Sequence, residues 1–246
     1  DRENLRLLIS ASPSAPRIHQ STEQKENPIT APMFCMLLRK HLGGARLCEI
    51  EQPGFERVLR LVFDTVDEMG FPVRRSLICE IMGKYSNIIF CGDGDRILGA
   101  CRTVDFTTSQ KRQVLPGMTY ELPPAQDKLN PLEACAADID ALAESRSATG
   151  ELRADKFITS NYLGISSLLA REIARRTADG RYPSLGAALS AVMTDISECR
   201  FEPTVVRDAS GIPVEYCFTS LSVYGEGYTC ERLNSVSAML ESYYGE

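Results

Sequence analysis

Four short runs carry the side chains and backbone groups with the most chemistry to offer. Arg39, Lys40 and His41 occupy the last turn of a helix that Pro32 opens and Gly43-Gly44 closes. Positive charge there complements the exposed carbonyls of a helix C-terminus and is also well placed to meet a phosphate. Glu56-Arg57 follows directly on a Pro53-Gly54 turn, so an acid and a base are held side by side at the end of a rigid strand. Taken alone, such a pair is a solvated ion pair worth little. Glu80-Ile81-Met82-Gly83-Lys84-Tyr85-Ser86-Asn87 joins two β-prone runs through a glycine, and by itself reads as a turn with Ile81 and Met82 in the core. Gly164-Ile165-Ser166 lies between two helical patterns, where a tight turn presents backbone N–H groups and a helix N-terminus to an anion.

The elements that must position these runs follow from periodicity. Met33, Phe34, Leu37, Leu38 and Leu42 form one apolar face of the first helix. Before it, Leu5 to Ala11 reads as a strand broken by Ser12-Pro-Ser-Ala-Pro16, and the polar residues from Arg17 to Ala31 read as a loop. Strands are expected at Leu47 to Gln52, Arg57 to Asp64, Ser76 to Ile81, Asn87 to Cys91 and Ile97 to Val104, the last two joined by a Gly92-Asp-Gly-Asp95 turn. Within the second of these, Leu59, Leu61 and Phe63 face one way and Val58, Arg60 and Val62 the other. Tight connections of this kind make an antiparallel meander.

From Pro131 the period becomes helical, with Leu132, Cys135, Ile139 and Leu142 on one stripe and a break at Gly150. Phe157 to Tyr162, the turn Leu163 to Ser166 and a helix through Leu169, Ala170 and Ile173 are similar to a helix-hairpin-helix, with Ser166 in place of the usual second glycine and suited to N-cap the following helix. A helix through Leu185, Leu189, Val192 and Ile196, a hairpin around Asp208 to Gly211 joining Val205 to Val214–Phe218, and a helix carrying Leu233, Val236, Leu240 and Tyr243 complete the chain. The expected fold class is α+β. A β-rich domain over residues 1–130 precedes a helix-hairpin-helix domain over 131–200 and a hairpin plus helix over 201–246, with the proline-rich stretch Tyr120 to Pro131 as a rigid connector.

Composition bounds the function. The 246 residues are 43% hydrophobic and 24% charged, ordinary for a globular chain, and no run is long and apolar enough for a membrane span. Nine cysteines form an odd count without a C-x-x-C pair and accompany only two histidines, which argues against a disulfide framework or a zinc site and for reduced, buried thiols in a cytoplasmic protein. With 27 Lys and Arg against 33 Asp and Glu the net charge is −6, so any contact with nucleic acid rests on local basic patches.

Several of these phrases, in order, carry a family resemblance: Pro32-Met-Phe-Cys-Met-Leu-Leu-Arg-Lys-His-Leu42, Ile50-Glu-Gln-Pro-Gly-Phe-Glu-Arg57, Leu77 to Ile89, Val114-Leu-Pro-Gly117, Tyr120 to Pro131 and Leu163-Gly-Ile-Ser166. The chain resembles the amino-terminal region of the NFACT family, the group that includes bacterial RqcH, eukaryotic NEMF and proteins called fibronectin-binding protein A. The resemblance implies a ribosome quality-control factor that binds a stalled large ribosomal subunit carrying peptidyl-tRNA. It would recruit charged alanine tRNA for untemplated C-terminal alanine tails that mark the chain for degradation. It also implies a segment with an earlier hairpin before Asp1 and a charged coiled coil after Glu246, so the chain is expected to be a fragment.

On the same resemblance, Glu56 and Arg57 stand where the family has an Asp-Arg pair needed for its work on tRNA, with Glu reaching one methylene further than Asp. Glu80, Ile81, Met82, Gly83, Lys84 and Asn87 stand in a block on the tRNA face, where Lys84, Tyr85 and Asn87 offer charge, stacking and base-edge hydrogen bonds. Arg39 and Lys40 are expected to join that surface, and Gly164, Ile165 and Ser166 form a weaker phosphate-binding hairpin. No catalytic residue, cofactor or metal is expected. There is no Walker-type loop or Ser or Cys nucleophile motif, and His19 and His41 read as surface or capping residues. The ribosome would supply the peptidyl-transfer chemistry. The rival readings are a fibronectin-binding surface adhesin and a DNA glycosylase-like protein, the latter lacking a visible N-terminal nucleophile or zinc finger.

Overall fold

The computed structural model describes residues 4–148 and 153–245, and the expected break at Gly150 lies outside the described residues. The chain divides into two compact units, Asp1–Ala125 and Gln126–Glu246, and the division falls inside the proline-rich connector.

The first unit is built on a five-stranded sheet of β3 (Arg46–Glu51), β4 (Val58–Val66), β5 (Pro72–Glu80), β6 (Asn87–Cys91) and β7 (Ile97–Ala100). The strands lie in chain order and every pair is antiparallel. Period-2 alternation gives the sheet two apolar faces. Leu61, Leu77, Cys79 and Phe90 point to one side, where Phe34, Leu37, Leu38 and Leu42 of α1 (Met33–Leu42) cover them together with Ile9 and Ile18. Ile9 and Ile18 come from a separate hairpin of β1 (Leu7–Ser10) and β2 (Arg17–Gln20). Val58, Ile78, Ile89, Cys91 and Ile97 point to the other side, against Val114 and Tyr120 of the segment that follows β7. Ile78, Ile89 and Phe90 are wholly buried, each contributing roughly 1.5–3 kcal/mol of apolar burial.

Helix α1 sits close to the sheet because Gly99 has no side chain: a Cβ there would lie 2.5 Å from Leu37 Cδ2. Pro32 serves as the N-cap and Gly44, at φ +77°, turns the chain away. Met33 is solvent-exposed and so is not part of the buried stripe.

The second unit packs α2 (Ala136–Ser147), α3 (Ala154–Asn161), α4 (Ser167–Ala178) and α5 (Leu185–Ser197) with a small antiparallel sheet, β8 (Thr204–Arg207), β9 (Pro213–Cys217) and β10 (Thr229–Arg232), in the order β10-β8-β9. Helix α6 (Val236–Tyr244) lies on that sheet through Met239 and Leu240 against Val205. Ile139, Ile158, Ile173 and Leu189 share one core with Val206 and Cys217, so the hairpin read over 201–246 belongs with the helices read over 131–200. At the α2–α5 crossing Gly186 N donates to Asp140 Oδ1 at 2.7 Å, and a Cβ on Gly186 would fall 2.1 Å from the Ala136 carbonyl. Gly186→Ala should therefore force the helices apart and lower stability by about 1–3 kcal/mol, read as a reduced thermal midpoint.

The α+β class and the antiparallel order follow the sequence reading, while several boundaries differ. Arg17–Gln20 is a strand where a loop is expected, because its pairing with β1 overrides a polar composition. β10 is missed because Thr229–Arg232 is exposed throughout on an edge and shows no alternation. β7 stops at Ala100, after which Val104 makes only an isolated bridge to Val114. Helix α2 starts at Ala136, with Cys135 as its N-cap and Leu132 ahead of it. Of the nine cysteines, Cys79, Cys91 and Cys217 are buried, but Cys101, Cys135, Cys199 and Cys230 are exposed, so buried thiols describe only part of the set. No helix among the described residues is long and apolar enough to cross a membrane.

Candidate nucleic-acid interface

Two of the sequence runs meet at one end of the five-stranded sheet. Val58, the first residue of β4, pairs with Glu80, the last of β5, and just beyond that pair Ile81 N donates to Arg57 O at 2.9 Å. The Glu56-Arg57 bend and the turn after β5 are thus hydrogen-bonded neighbours. The bend is set locally: Gly54 takes φ +55°, Glu56 N donates to Pro53 O, and the Gln52 amide donates to Glu56 O at 2.8 Å. Arg57 is exposed and Glu56 half-buried. Among the described residues neither side chain makes an ion pair or hydrogen bond, so the solvated-pair reading does not hold and the Arg57 guanidinium is left to solvent.

The neighbouring turn is equally well specified. Gly83 takes φ +56° and opens a single 3₁₀ turn over Gly83–Tyr85, while the buried Ser86 hydroxyl accepts from Met82 N at 2.8 Å. Lys84 and Tyr85 are left outside, with the ammonium 4.9 Å from the Tyr85 ring centroid and the ring 71% exposed.

Glu80 and Asn87, at the two ends of the same run, turn inward. Glu80 is 2% exposed and accepts two hydrogen bonds from Arg112, at 2.6 and 3.2 Å, and one from the Tyr120 hydroxyl at 2.9 Å. Burial and the Glu80 charge together push the Tyr120 hydroxyl above its ordinary pKa. Asn87 is 3% exposed; its carbonyl oxygen accepts from Ile88 N and Arg102 N, and its amide donates to Arg102 O at 2.8 Å. These side chains fasten the segment 102–112 to the sheet and have no surface available for a base edge. Ile81 and Met82 are half-buried beside them.

Arg39 and Lys40 do not join this surface. Lys40 pairs with Glu68, and Thr65 Oγ1 donates to His41 O, which places the end of α1 at the far end of β4. Eight residue steps at ~3.3 Å, roughly 26 Å, separate the two ends of that strand. His41 is held below its usual pKa by burial and then by Lys40 and Arg75. His19 is buried, not a surface residue.

In the second unit the Leu163–Ser166 turn has the expected build. Gly164 adopts φ +69°, Ser166 Oγ accepts from Leu169 N at 3.1 Å to cap α4, and Ile165 packs on the core. Leu129 runs beside the turn, donating to Asn161 O and accepting from Leu163 N. Gly164 is exposed, whereas the adjoining Tyr162 is buried. Among the described residues no group of three His, Cys, Asp or Glu side chains converges as metal ligands would.

The family model described as NFACT N-terminal and middle domains matches residues 1–246. The chain belongs to the NFACT family. It is 37% identical over 243 residues to "Rqc2 homolog RqcH" of Bacillus subtilis (strain 168), a match covering 98% of this chain and 41% of the relative, so the chain spans less than half of that protein's length. Two solved NFACT-like structures share its fold. The fibrinogen binding protein from Staphylococcus aureus superposes with a TM-score of 0.80 at 25% identity, covering 100% of this chain and 85% of the other. The N-terminal part of the fibronectin/fibrinogen-binding protein from Streptococcus suis gives 0.79 at 28% identity, covering 100% and 84%.

The anchoring roles of Arg102, Arg112 and Tyr120, on which this NFACT sheet end depends, are not legible in the sequence, although Tyr120 opens one of the family phrases. Each acts through a partner distant along the chain, and neither of the two arginines is marked by a turn residue or a periodic pattern.

Proposed function

We propose that this chain is the tRNA-handling part of a ribosome quality-control factor. The intact protein binds stalled large ribosomal subunits carrying peptidyl-tRNA, recruits charged alanine tRNA, and so supports untemplated C-terminal alanine tails that mark the nascent chain for degradation. It works in the cytoplasm as a positioning factor without catalytic residues, cofactor or metal, and the ribosome performs peptidyl transfer. The relatedness to proteins named RqcH supports the class. The observation that carries the reading is the Arg57 guanidinium, exposed and unpaired among the described residues, which hydrogen bonds of the backbone hold next to the turn bearing Lys84 and Tyr85. A local basic and aromatic surface suits RNA loops even on an acidic protein.

The test is tRNA binding by the intact protein and by Arg57→Ala, across a salt series. Because Arg57 has no side-chain partner among the described residues to lose, the stability of the variant, read from its thermal midpoint, should change by no more than a surface substitution does, about 0.5 kcal/mol. Binding should weaken, and the slope of log K against log salt should fall by about one. Alanine tails on a stalled reporter should disappear in the same variant, while Glu56→Asp keeps them. Unchanged binding, slope and tails in a folded Arg57→Ala protein would remove the assignment. Binding of immobilised fibronectin with no tRNA affinity would favour the adhesive reading that the names of the structural relatives carry.

A further inference from the structure

Glu80 and Asn87 have no role as surface groups, yet both are spent on one segment. Asn87 grips Arg102 by its backbone N–H and carbonyl, and Arg102 Nη1 reaches the Lys84 carbonyl at 3.5 Å. Glu80 grips Arg112 at the other end. Beside these feet Val104, two residues past Arg102, and Val114, two residues past Arg112, exchange two backbone hydrogen bonds, at 3.0 and 2.7 Å, which close residues 105–113 into a loop. Inside the loop Asp105 Oδ1 accepts from the backbone N–H and the hydroxyl of both Thr107 and Thr108, at 2.6–3.0 Å. Those hydrogen bonds hold its carboxyl down to about pKa 2. The apex is therefore a fixed turn, and on it the Phe106 ring is 70% exposed.

A single exposed aromatic is ordinary; one held on a loop with two buried anchors and an internal cap is preorganised. Both anchors lie on the run that presents Lys84 and Tyr85. Phe106 is four residues from Arg102, so it lies within ~14 Å of that foot even at full extension, short enough for one RNA loop to touch both elements. With Asp105 beside it, the apex does not favour phosphate as such, whereas the flat face of a base suits an exposed ring regardless of that charge.

We propose that Phe106 is a stacking platform for an unpaired nucleotide of the bound RNA, a second contact beside Arg57 and Lys84. The proposal rests on the RNA-binding reading above. Stacking of this kind is sequence-tolerant, so Phe106 adds affinity for looped over paired RNA without choosing the tRNA.

The experiment measures binding of the intact protein to an RNA hairpin with an unpaired loop and to a duplex of equal length, for wild type, Phe106→Ala, Phe106→Tyr and Lys111→Ala. Phe106→Ala should weaken hairpin binding about tenfold, leave duplex binding and the salt slope unchanged, and be rescued by Phe106→Tyr. Lys111→Ala, an exposed charge on the same loop, separates a general loop defect from loss of the ring and should not abolish the preference for the hairpin. Should Phe106→Ala melt early, photo-crosslinking of wild-type protein to a hairpin carrying 4-thiouridine in its loop decides instead: crosslinks at Phe106 support the platform, and crosslinks only elsewhere overturn it. Hairpin binding that depends on Arg57 but is indifferent to Phe106→Ala overturns this inference alone. Absence of binding to any RNA overturns the functional reading with it.

Discussion

Glu172→Ala should destabilise the second unit by about 3–5 kcal/mol, the range for stripping one partner from a buried ion pair. Glu172 is wholly buried on α4 and Arg176, one turn on, is 6% exposed. The carboxylate accepts from Arg176 Nε at 2.8 Å, from Ser222 N at 2.6 Å, from the Ser222 hydroxyl at 3.0 Å and from Val223 N at 3.1 Å. Arg176 in turn donates to Thr219 Oγ1 and the Ser220 carbonyl. The pair thus ties the strand-connecting loop 219–223 to α4, a link that no local propensity would supply. Truncating Glu172 leaves a buried guanidinium without its counter-charge and two backbone N–H groups without acceptors. Glu172→Gln retains the shape and one of the two acceptor oxygens while losing the charge, and should lose less. Denaturant midpoints at constant slope separate these outcomes, and a loss below about 1 kcal/mol for Glu172→Ala would mean that water or a shift of α4 replaces the pair.

Particular residues show what was legible in the sequence. The alternation of Leu59, Leu61 and Phe63 against Val58 and Val62 survives as the two faces of β4, because burial on both sides leaves register no freedom. Ser166 caps α4 and Gly164 takes a positive φ because both depend only on neighbours in the chain. By contrast, β2 and β10 exist through pairing with β1 and β8, and their own polar residues give no hint of it. The candidate site divides in the same way. The Arg57 bend and the Lys84–Tyr85 turn are local, and they appear where expected. The family resemblance puts Arg39 and Lys40 on the same surface, but β4 holds the end of α1 roughly 26 Å from that turn. Glu80 and Asn87 look like surface polar groups in a list of residues. Only the arrival of Arg112, Tyr120 and Arg102 from across the fold turns them into internal anchors.

That difference makes Glu80 the sharpest discriminator in the first unit. As an anchor, Glu80→Ala should lower the stability of that unit by about 3 kcal/mol or more, because it strands the Arg112 guanidinium and the Tyr120 hydroxyl at once. As an RNA contact on the surface it would change stability by about 0.5 kcal/mol at most. The anchor also has a local consequence. With one foot of the loop released, trypsin should cut at the exposed Lys111 well before the rest of the unit unfolds, because local opening then exposes that bond. Glu80→Gln keeps an acceptor for Tyr120 and for one Arg112 donor while losing the charge, so it should fall between the wild type and Glu80→Ala in both assays. Looped-RNA affinity should follow the same order if Phe106 stacks as proposed, since the loop that holds the ring is what loosens. A Glu80→Ala protein with wild-type stability, slow cleavage at Lys111 and weakened RNA binding would return Glu80 to the surface and reverse the assignment of its role.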